Sequence, residues 1–94
     1  MKYLIVFAHP ENKNSFQKSL LDYSKTQLID AGHECEVSDL YAMNFNPIAS
    51  NSDFKTRRDS TRLQYDREQK QAVRNNSFTD DIQDEINKLL WCDV

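Results

Sequence analysis

The sequence predicts an α/β fold built around a parallel sheet, and three observations along the 94-residue chain support this expectation. An unbroken apolar run over 3–7, rich in Ile, Val and aromatic residues, is typical of a strand buried on both faces of a parallel sheet. Pro10 ends the run, and an amphipathic helix is predicted over 15–31. A second short strand over 33–37 completes a strand–helix–strand unit, whose crossover is expected to be right-handed.

The first predicted helix has recognisable ends. Asn14 is expected to cap its N-terminus, with Gln17 three residues on as in a capping box. Gly32, the only glycine in the chain, stands where a helix C-terminus favours a residue with positive φ. Apolar residues recur at helical spacing and predict one buried face: Phe16, Leu20, Leu21, Tyr23, Leu28 and Ala31.

The second half of the chain shows less regularity. No period is sustained over 41–78, which predicts a long loop that is functional, partner-bound or disordered, with room for one short helix over 64–74. Thr79 is expected to cap a clear helix whose buried stripe is Ile82, Ile86, Leu89 and Leu90. The apolar run at 89–94 then indicates the start of a third strand, with Cys92 as a buried, inert thiol.

Composition limits the partners and the compartment. A net charge of −3 and a pI near 5.2 argue against nucleic acid as a partner of the whole chain. Two distant cysteines form neither a disulfide framework nor a zinc site, and the acidic cluster at 80–85 is expected to be solvated, so no metal is expected. No run approaches the roughly 18 apolar residues of a membrane span, and the short apolar run before His9 is not expected to be a signal peptide. We therefore expect a soluble, cytoplasmic protein with reduced thiols.

A basic stretch interrupts this acidic chain. Seven basic and three acidic residues lie between Lys55 and Arg74, a local charge of +4. The stretch is either a nucleic-acid footprint or a solvated surface. The interspersed acidic residues and the scarcity of aromatic residues favour the solvated surface.

The corner between the first strand and the first helix carries the candidate site residues. His9 either caps the strand end by hydrogen bonding or donates to an anionic pyrophosphate held at the helix N-terminus. Ser15 and the amides near Phe16 either cap the helix alone or also bind phosphate, because both tasks use the same free N–H groups. The loop has no glycine, which excludes a P-loop and a Rossmann fingerprint. No catalytic side-chain arrangement is predicted.

Three segments resemble a known family. They are Ile5-Val6-Phe7-Ala8-His9-Pro10 with Ser15-Phe16, Ala31-Gly32-His33-Glu34-Cys35-Glu36-Val37, and the long run from Ser38-Asp39-Leu40-Tyr41-Ala42 to Met43-Asn44-Phe45-Asn46-Pro47. The pattern is similar to that of the flavodoxin-like NAD(P)H:quinone oxidoreductases and spans nearly the whole chain. The resemblance implies a doubly wound parallel sheet that is incomplete here. Residues 1–94 would be the N-terminal part of a single domain, ending as the third strand begins beside the first.

The resemblance also implies a reaction and a cofactor. The reaction is hydride transfer from NAD(P)H through a flavin to a quinone, with FAD rather than FMN as the prosthetic group, in a homodimer. His9 looks like the family's phosphate-loop histidine, and a glutamine that reaches the flavin of the partner subunit is similar to Gln64. The helix N-terminus that holds the pyrophosphate corresponds to Ser15, Phe16, Gln17, Lys18 and Ser19.

Much of that family's active site follows the third strand. The 94-residue chain is therefore expected to be inactive alone, and to be unstable or self-associating, because a bare strand edge invites aggregation. Two other readings stay open. One is a non-enzymatic half-domain that docks onto a full-length relative or partner subunit, and the other is half of a split enzyme completed by a separate polypeptide.

Overall fold

A computed structural model describes residues 1–10 and 15–94. The chain forms two compact units, Met1–Asn46 with Asn87–Val94, and Pro47–Ile86. The elements in chain order are β1 Lys2–Phe7, α1 Phe16–Asp30, β2 Glu34–Asp39, a 3₁₀ turn Asn51–Asp53, α2 Tyr65–Asn75 and α3 Asp80–Trp91.

The first unit contains a parallel sheet. β1 and β2 pair in parallel from Lys2 opposite Glu34 to Phe7 opposite Asp39, so the predicted α/β class with a parallel sheet is confirmed. Because α1 connects the two strands, these three elements form the expected strand–helix–strand unit.

A third segment pairs with the other edge of β1. The carbonyl of Lys2 accepts hydrogen bonds from the amides of Asp93 and Val94 at 2.7 and 3.1 Å, and the amide of Leu4 donates to the carbonyl of Val94 at 2.9 Å. Val94 thus bonds through its amide to Lys2 and through its carbonyl to Leu4, two residues further along β1. Bonds from one residue to two positions that lie two apart on the neighbouring strand are the pattern of a parallel pair. The chain therefore runs beside the first strand at Asp93 and Val94, as the resemblance implied.

Local chemistry explains both ends of α1. The N-cap is Ser15, whose hydroxyl accepts from the amide of Lys18 at 3.0 Å; the predicted cap, Asn14, lies outside the described residues. At the other end Gly32 has φ +89°, and the amide of His33 reaches back to the carbonyl of Leu28 at 3.0 Å. The expected positive φ at Gly32 is confirmed.

The predicted apolar faces of β1 and α1 are only partly buried. Leu21 is the buried residue of α1, while Phe16, Leu20 and Tyr23 are 76%, 52% and 65% exposed and Val6 on β1 is 60% exposed. The expectation of a strand buried on both faces and of a fully buried helix face is therefore wrong for the described residues. A sheet of two strands and a short third segment is too narrow to bury the apolar residues of both β1 and α1.

The second unit has its own hydrophobic core within the stretch predicted as a loop. Phe54 and Phe78 form an antiparallel bridge, and their rings lie 5.7 Å apart, with Tyr65 5.1 Å from Phe54. These residues pack with Ala72, Ile82 and Ile86. The short helix predicted over 64–74 is confirmed as α2, whereas the core was missed because aromatic residues far apart in sequence show no period.

A buried hydrogen bond ties the 3₁₀ turn to α2. The hydroxyl of Tyr65 donates to a carboxylate oxygen of Asp53 at 2.6 Å, and the same carboxylate oxygen accepts from the amide of Ser50 at 3.1 Å. The bond to the Asp53 carboxylate, with burial, raises the pKa of Tyr65 to about 12. Tyr65 therefore stays protonated as a donor across the physiological pH range.

The predicted stripe on α3 is half correct. Ile82 and Ile86 pack against the core of the second unit, but Leu89 and Leu90 are 62% and 80% exposed. Cys92 is half-buried rather than buried, and its thiol lies 3.3 Å from the carbonyl of Leu89. Across residues 1–10 and 15–94, no helix is long and apolar enough to cross a membrane.

Candidate cofactor site

A cavity of about 280 Å³ opens at the carboxyl end of β1, beside α1. Its walls come from the end of the strand and one face of the helix: Ile5, Val6, Phe7, Ala8, His9, Gln17, Leu20, Leu21 and Ser24. In open parallel sheets, ligands bind outside the carboxyl ends of the strands. The cavity lies at such an end and brings together two of the predicted site residues, His9 and Gln17.

His9 is half-buried at the cavity wall. Its ring stacks loosely on Phe7, with 6.3 Å between the ring centroids and 30° between the planes. Phe7 is itself buried, so this contact holds the imidazole near the strand end. The position suits a side chain that presents a ring N–H to a ligand.

The N-terminus of α1 leaves two donors for a ligand. The Ser15 hydroxyl is used in capping the amide of Lys18, and the carbonyl of Ser15 accepts from the amide of Ser19. The amides of Phe16 and Gln17 find no acceptor among the described residues. Two N–H groups with no acceptor among residues 1–10 and 15–94, at the positive end of a helix, are suited to an anion.

The remaining first-turn residues of α1 have separate surroundings. The Lys18 ammonium lies 3.3 Å from the Asp22 carboxylate one turn later, and Ser19 is exposed. A cation in the first turn opposes the helix macrodipole. An anion at this end would offset that repulsion.

Gln64 belongs to the second unit, where it precedes α2 without capping it through its side chain. Its Oε1 accepts from the guanidinium of Arg58 at 2.7 Å. Since the oxygen end is held by Arg58, the side-chain nitrogen of Gln64 is the end that can donate elsewhere.

The sequence interpretation missed the apolar wall of the cavity. Leu20, Leu21 and Ser24 follow Gln17 at three, four and seven residues, so they share one side of α1. The sequence predicts a buried core face from Leu20 and Leu21, and it carries no signal that singles out Ser24. Among the described residues, no group of three or more His, Cys, Asp or Glu could hold a metal ion.

The arrangement fits an amphipathic phosphate-bearing cofactor. The walls are largely apolar, with His9 and Gln17 as polar residues among them, and the amides of Phe16 and Gln17 have no acceptor among the described residues. Cofactor sites of this size combine an apolar lining with a few convergent polar groups.

Comparison with known proteins defines the class. The profile of the family with a flavodoxin-like fold matches residues 1–94, and the chain belongs to that family. A Klebsiella pneumoniae crystal structure described as a candidate quinone reductase superposes with a TM-score of 0.87 at 37% identity, over 99% of this chain and 36% of that one.

Curated relatives agree with this assignment. The human ribosyldihydronicotinamide dehydrogenase [quinone] is 38% identical over 94 residues, 99% of this chain and 40% of its own length. The rat NAD(P)H dehydrogenase [quinone] 1 is 38% identical over 92 residues, 97% of this chain and 33% of its own length. A ribosyldihydronicotinamide dehydrogenase-like protein of Penicillium crustosum is also 38% identical, over 99% of this chain and 34% of its own length. The chain thus spans between a third and two-fifths of these relatives, which are quinone dehydrogenases or resemble them.

Proposed function

We propose that this chain is part of a cytoplasmic NAD(P)H:quinone oxidoreductase and supplies the phosphate-binding corner of its flavin site. The observation that carries the proposal is the cavity at the carboxyl end of β1, whose wall includes Gln17 in the first turn of α1. Its occurrence in a chain 38% identical to quinone dehydrogenases supports the same reading.

Each predicted site residue has a role in holding the cofactor. The amides of Phe16 and Gln17 donate to phosphate oxygens, and the ring of His9 donates from the strand side. Lys18 and Ser19 line the same turn, and Ser15 acts by fixing the start of the helix. The bound group would be FAD rather than FMN, in line with the resemblance to the quinone reductases.

A flavin accepts hydride from a nicotinamide and passes it to an acceptor, so the redox chemistry is the cofactor's own. The residues of this chain bind and orient it and do not take part in the transfer. In a homodimer, Gln64 would donate from its side-chain nitrogen to the flavin of the partner subunit, because Arg58 already holds its oxygen.

Flavin binding tests the proposal. Equilibrium dialysis of the 94-residue chain against FAD, and separately against FMN, is repeated with His9→Ala and with His33→Ala. His33 is the other histidine in the chain; its Nδ1 lies 3.0 Å from the amino terminus, beside the first residues of the strands rather than their carboxyl ends. We expect His9→Ala to weaken FAD binding about tenfold or more, since a hydrogen bond to a charged group is lost.

The controls separate the parts of the proposal. Equal effects of the two histidine substitutions would refute the site, and no FAD binding at all would show that this part of the protein does not hold the cofactor by itself. The isolated chain should show no quinone-dependent oxidation of NAD(P)H, and activity with added FAD would contradict its expected inactivity.

A second candidate is a non-enzymatic half-domain that docks onto a full-length relative or partner subunit. The exposed apolar side chains of the first unit favour it, notably Val6, Phe16 and Leu90. Co-expression of the tagged chain with the Klebsiella quinone reductase should then yield a complex. If affinity purification recovers the chain alone, this candidate fails.

A further inference from the structure

A second concave surface lies on α2, in the unit Pro47–Ile86, and it is strongly basic. This basic groove encloses about 330 Å³ and is lined by one helical face and one residue of the preceding loop: Arg58, Arg67, Lys70, Gln71, Arg74 and Asn75. Positions three, four and seven apart share one side of a helix. None of the six lining residues is acidic.

The helical cations of the basic groove are not neutralised by partners. Within the described part of the chain, no ion pair or hydrogen bond is made by three side chains: Arg67, Lys70 and Arg74. Two basic residues outside the groove do have carboxylate neighbours. The ammonium of Lys55 lies 2.6 Å from Asp80, and Nε of Arg57 lies 3.6 Å from Glu68.

The carboxylates of α2 are directed elsewhere. Asp66 does not line the basic groove, and Glu68 is buried, with 1% of its surface exposed. The carboxylate of Glu68 accepts from the backbone amides of Arg58 and Asp59 at 2.9 and 3.2 Å. The positive charge of the groove therefore stays available to a ligand.

This arrangement opposes helix stability in the absence of an anion. Lys70 and Arg74 are like charges four residues apart, and Arg67 and Lys70 are like charges three apart, both of which disfavour a helix. Arg67 also stands in the first turn of α2, where a cation opposes the macrodipole. Arg74 stands in the last turn, where a cation is favourable, but the repulsion between neighbouring cations and the placement of Arg67 remain, and they indicate a role other than folding.

We propose that the basic groove binds a compact phosphate-bearing polyanion, a di- or triphosphate group, through Arg67, Lys70 and Arg74. Arginine forks pair with phosphate oxygens in bidentate fashion, and lysine adds a point charge. Gln71 and Asn75 supply neutral donors at the edges. A volume of about 330 Å³ lies near the lower end of small-molecule pockets, about 300–1,000 Å³, and suits such a group better than an extended chain.

Equilibrium dialysis against inorganic triphosphate tests this site, because it measures bound ligand whether the chain is a monomer or an oligomer. The 94-residue chain is compared with Arg67→Gln/Arg74→Gln and with the control Lys25→Gln/Arg62→Gln. The control removes the same two charges from exposed positions outside the groove. We expect saturable binding at one site per chain, weakened at least tenfold by the groove substitutions and less than twofold by the control.

Other outcomes would overturn the proposal. No saturable binding would mean that the basic groove does not hold triphosphate, and equal weakening in both double variants would mean that the anion is attracted by surface cations in general rather than by the groove. The groove variant should melt near the native temperature, because the repulsion that it removes is offset by the loss of the favourable cation in the last turn, Arg74; a much lower melting temperature would make the cations structural.

Two further ligands identify the source of the phosphate groups. ATP binding as tightly as inorganic triphosphate indicates that the phosphates alone are recognised, and tighter ATP binding indicates a nucleoside phosphate. A single-stranded RNA oligonucleotide whose affinity grows with its length would contradict a compact ligand and favour a nucleic-acid surface.

Discussion

Glu68 shows how one side chain organises a loop. Its buried carboxylate accepts two backbone amides from the loop that precedes α2, those of Arg58 and Asp59. The hydrogen bond from the Arg58 amide is the largest of the causes that lower the pKa of this carboxyl below its usual value of 4.5. A lowered pKa means that the ionised form stabilises the fold above about pH 4.5, and that this stability is lost as the pH falls through the pKa of the folded state.

Glu68→Gln should therefore destabilise the chain at pH 7 and lose that effect in acid. A glutamine has one oxygen, so one of the two loop amides would face its NH₂ group unsatisfied, and the melting temperature should fall by several degrees. Thermal melts followed by circular dichroism between pH 7 and pH 3 provide the measurement. The matched control is Asp66→Asn on the exposed surface of the same helix, expected to change stability by less than about 0.5 kcal/mol. A difference between Glu68→Gln and the native chain that does not depend on pH would contradict the assignment.

The elements show which features a sequence alone can predict. Gly32 was predictable because its backbone requirement is local, and the parallel pairing of β1 with β2 followed from a short strand–helix–strand spacing. The sequence also predicts that candidate site residues lie at the end of the first strand, where the structure has a cavity lined by His9. The burial of individual side chains could not be predicted in the same way, because it depends on which helix and strand faces pack together in the folded chain. Phe16 and Leu90 carry the pattern of core residues, yet both are exposed.

Long-range contacts were the least predictable of all. Phe54 and Phe78 meet across a stretch with no period, and the basic groove depends on a loop residue, Arg58, folding back beside α2. Spacings of three, four and seven residues predict which residues of α2 line the groove, but they do not predict that Arg58 of the loop joins them. These features require knowledge of how the chain turns, which local preferences do not encode.

At the end of α1, substitution of Gly32 tests the local backbone requirement. A Cβ atom at Gly32 would meet nothing within 4 Å, while φ is +89°, so any loss comes from conformation and not from a clash. Gly32→Ala should reduce the free energy of unfolding by about 1–2 kcal/mol, measured by urea denaturation. Gly32→Asn should lose less, because asparagine tolerates positive φ better than alanine. Equal losses for the two variants would be the contrary result.

On the scale of the whole molecule, exposed apolar side chains are expected to govern its behaviour in solution. In the first unit, Phe16 and Leu90 are 76% and 80% exposed, and they accompany an exposed Val6 on β1. In the second unit, Ile48 and Val73 are each 71% exposed. Extensive exposed apolar surface favours association, and the first unit exposes more large apolar side chains than the second.

The 94-residue chain should therefore self-associate through its first unit. Phe16→Gln/Leu90→Gln should raise the oligomer dissociation constant at least tenfold, as expected when two apolar side chains no longer leave water on association. Sedimentation velocity over a range of concentrations measures this. Ile48→Gln/Val73→Gln changes the same number of exposed apolar residues in the second unit and should have little effect. A native chain that sediments as a monomer throughout would refute the expectation.

The hydrogen bonds between Lys2 and the pair Asp93 and Val94 join residues from opposite ends of the chain. During synthesis the strand that contains Lys2 emerges first, and the segment that pairs with its second edge is made about 90 residues later. At about 5–20 residues per second, roughly 5 to 20 s separate the two events. For that time the newly made strand carries unpaired backbone groups on one edge, so the nascent chain at this stage is a natural client for a chaperone.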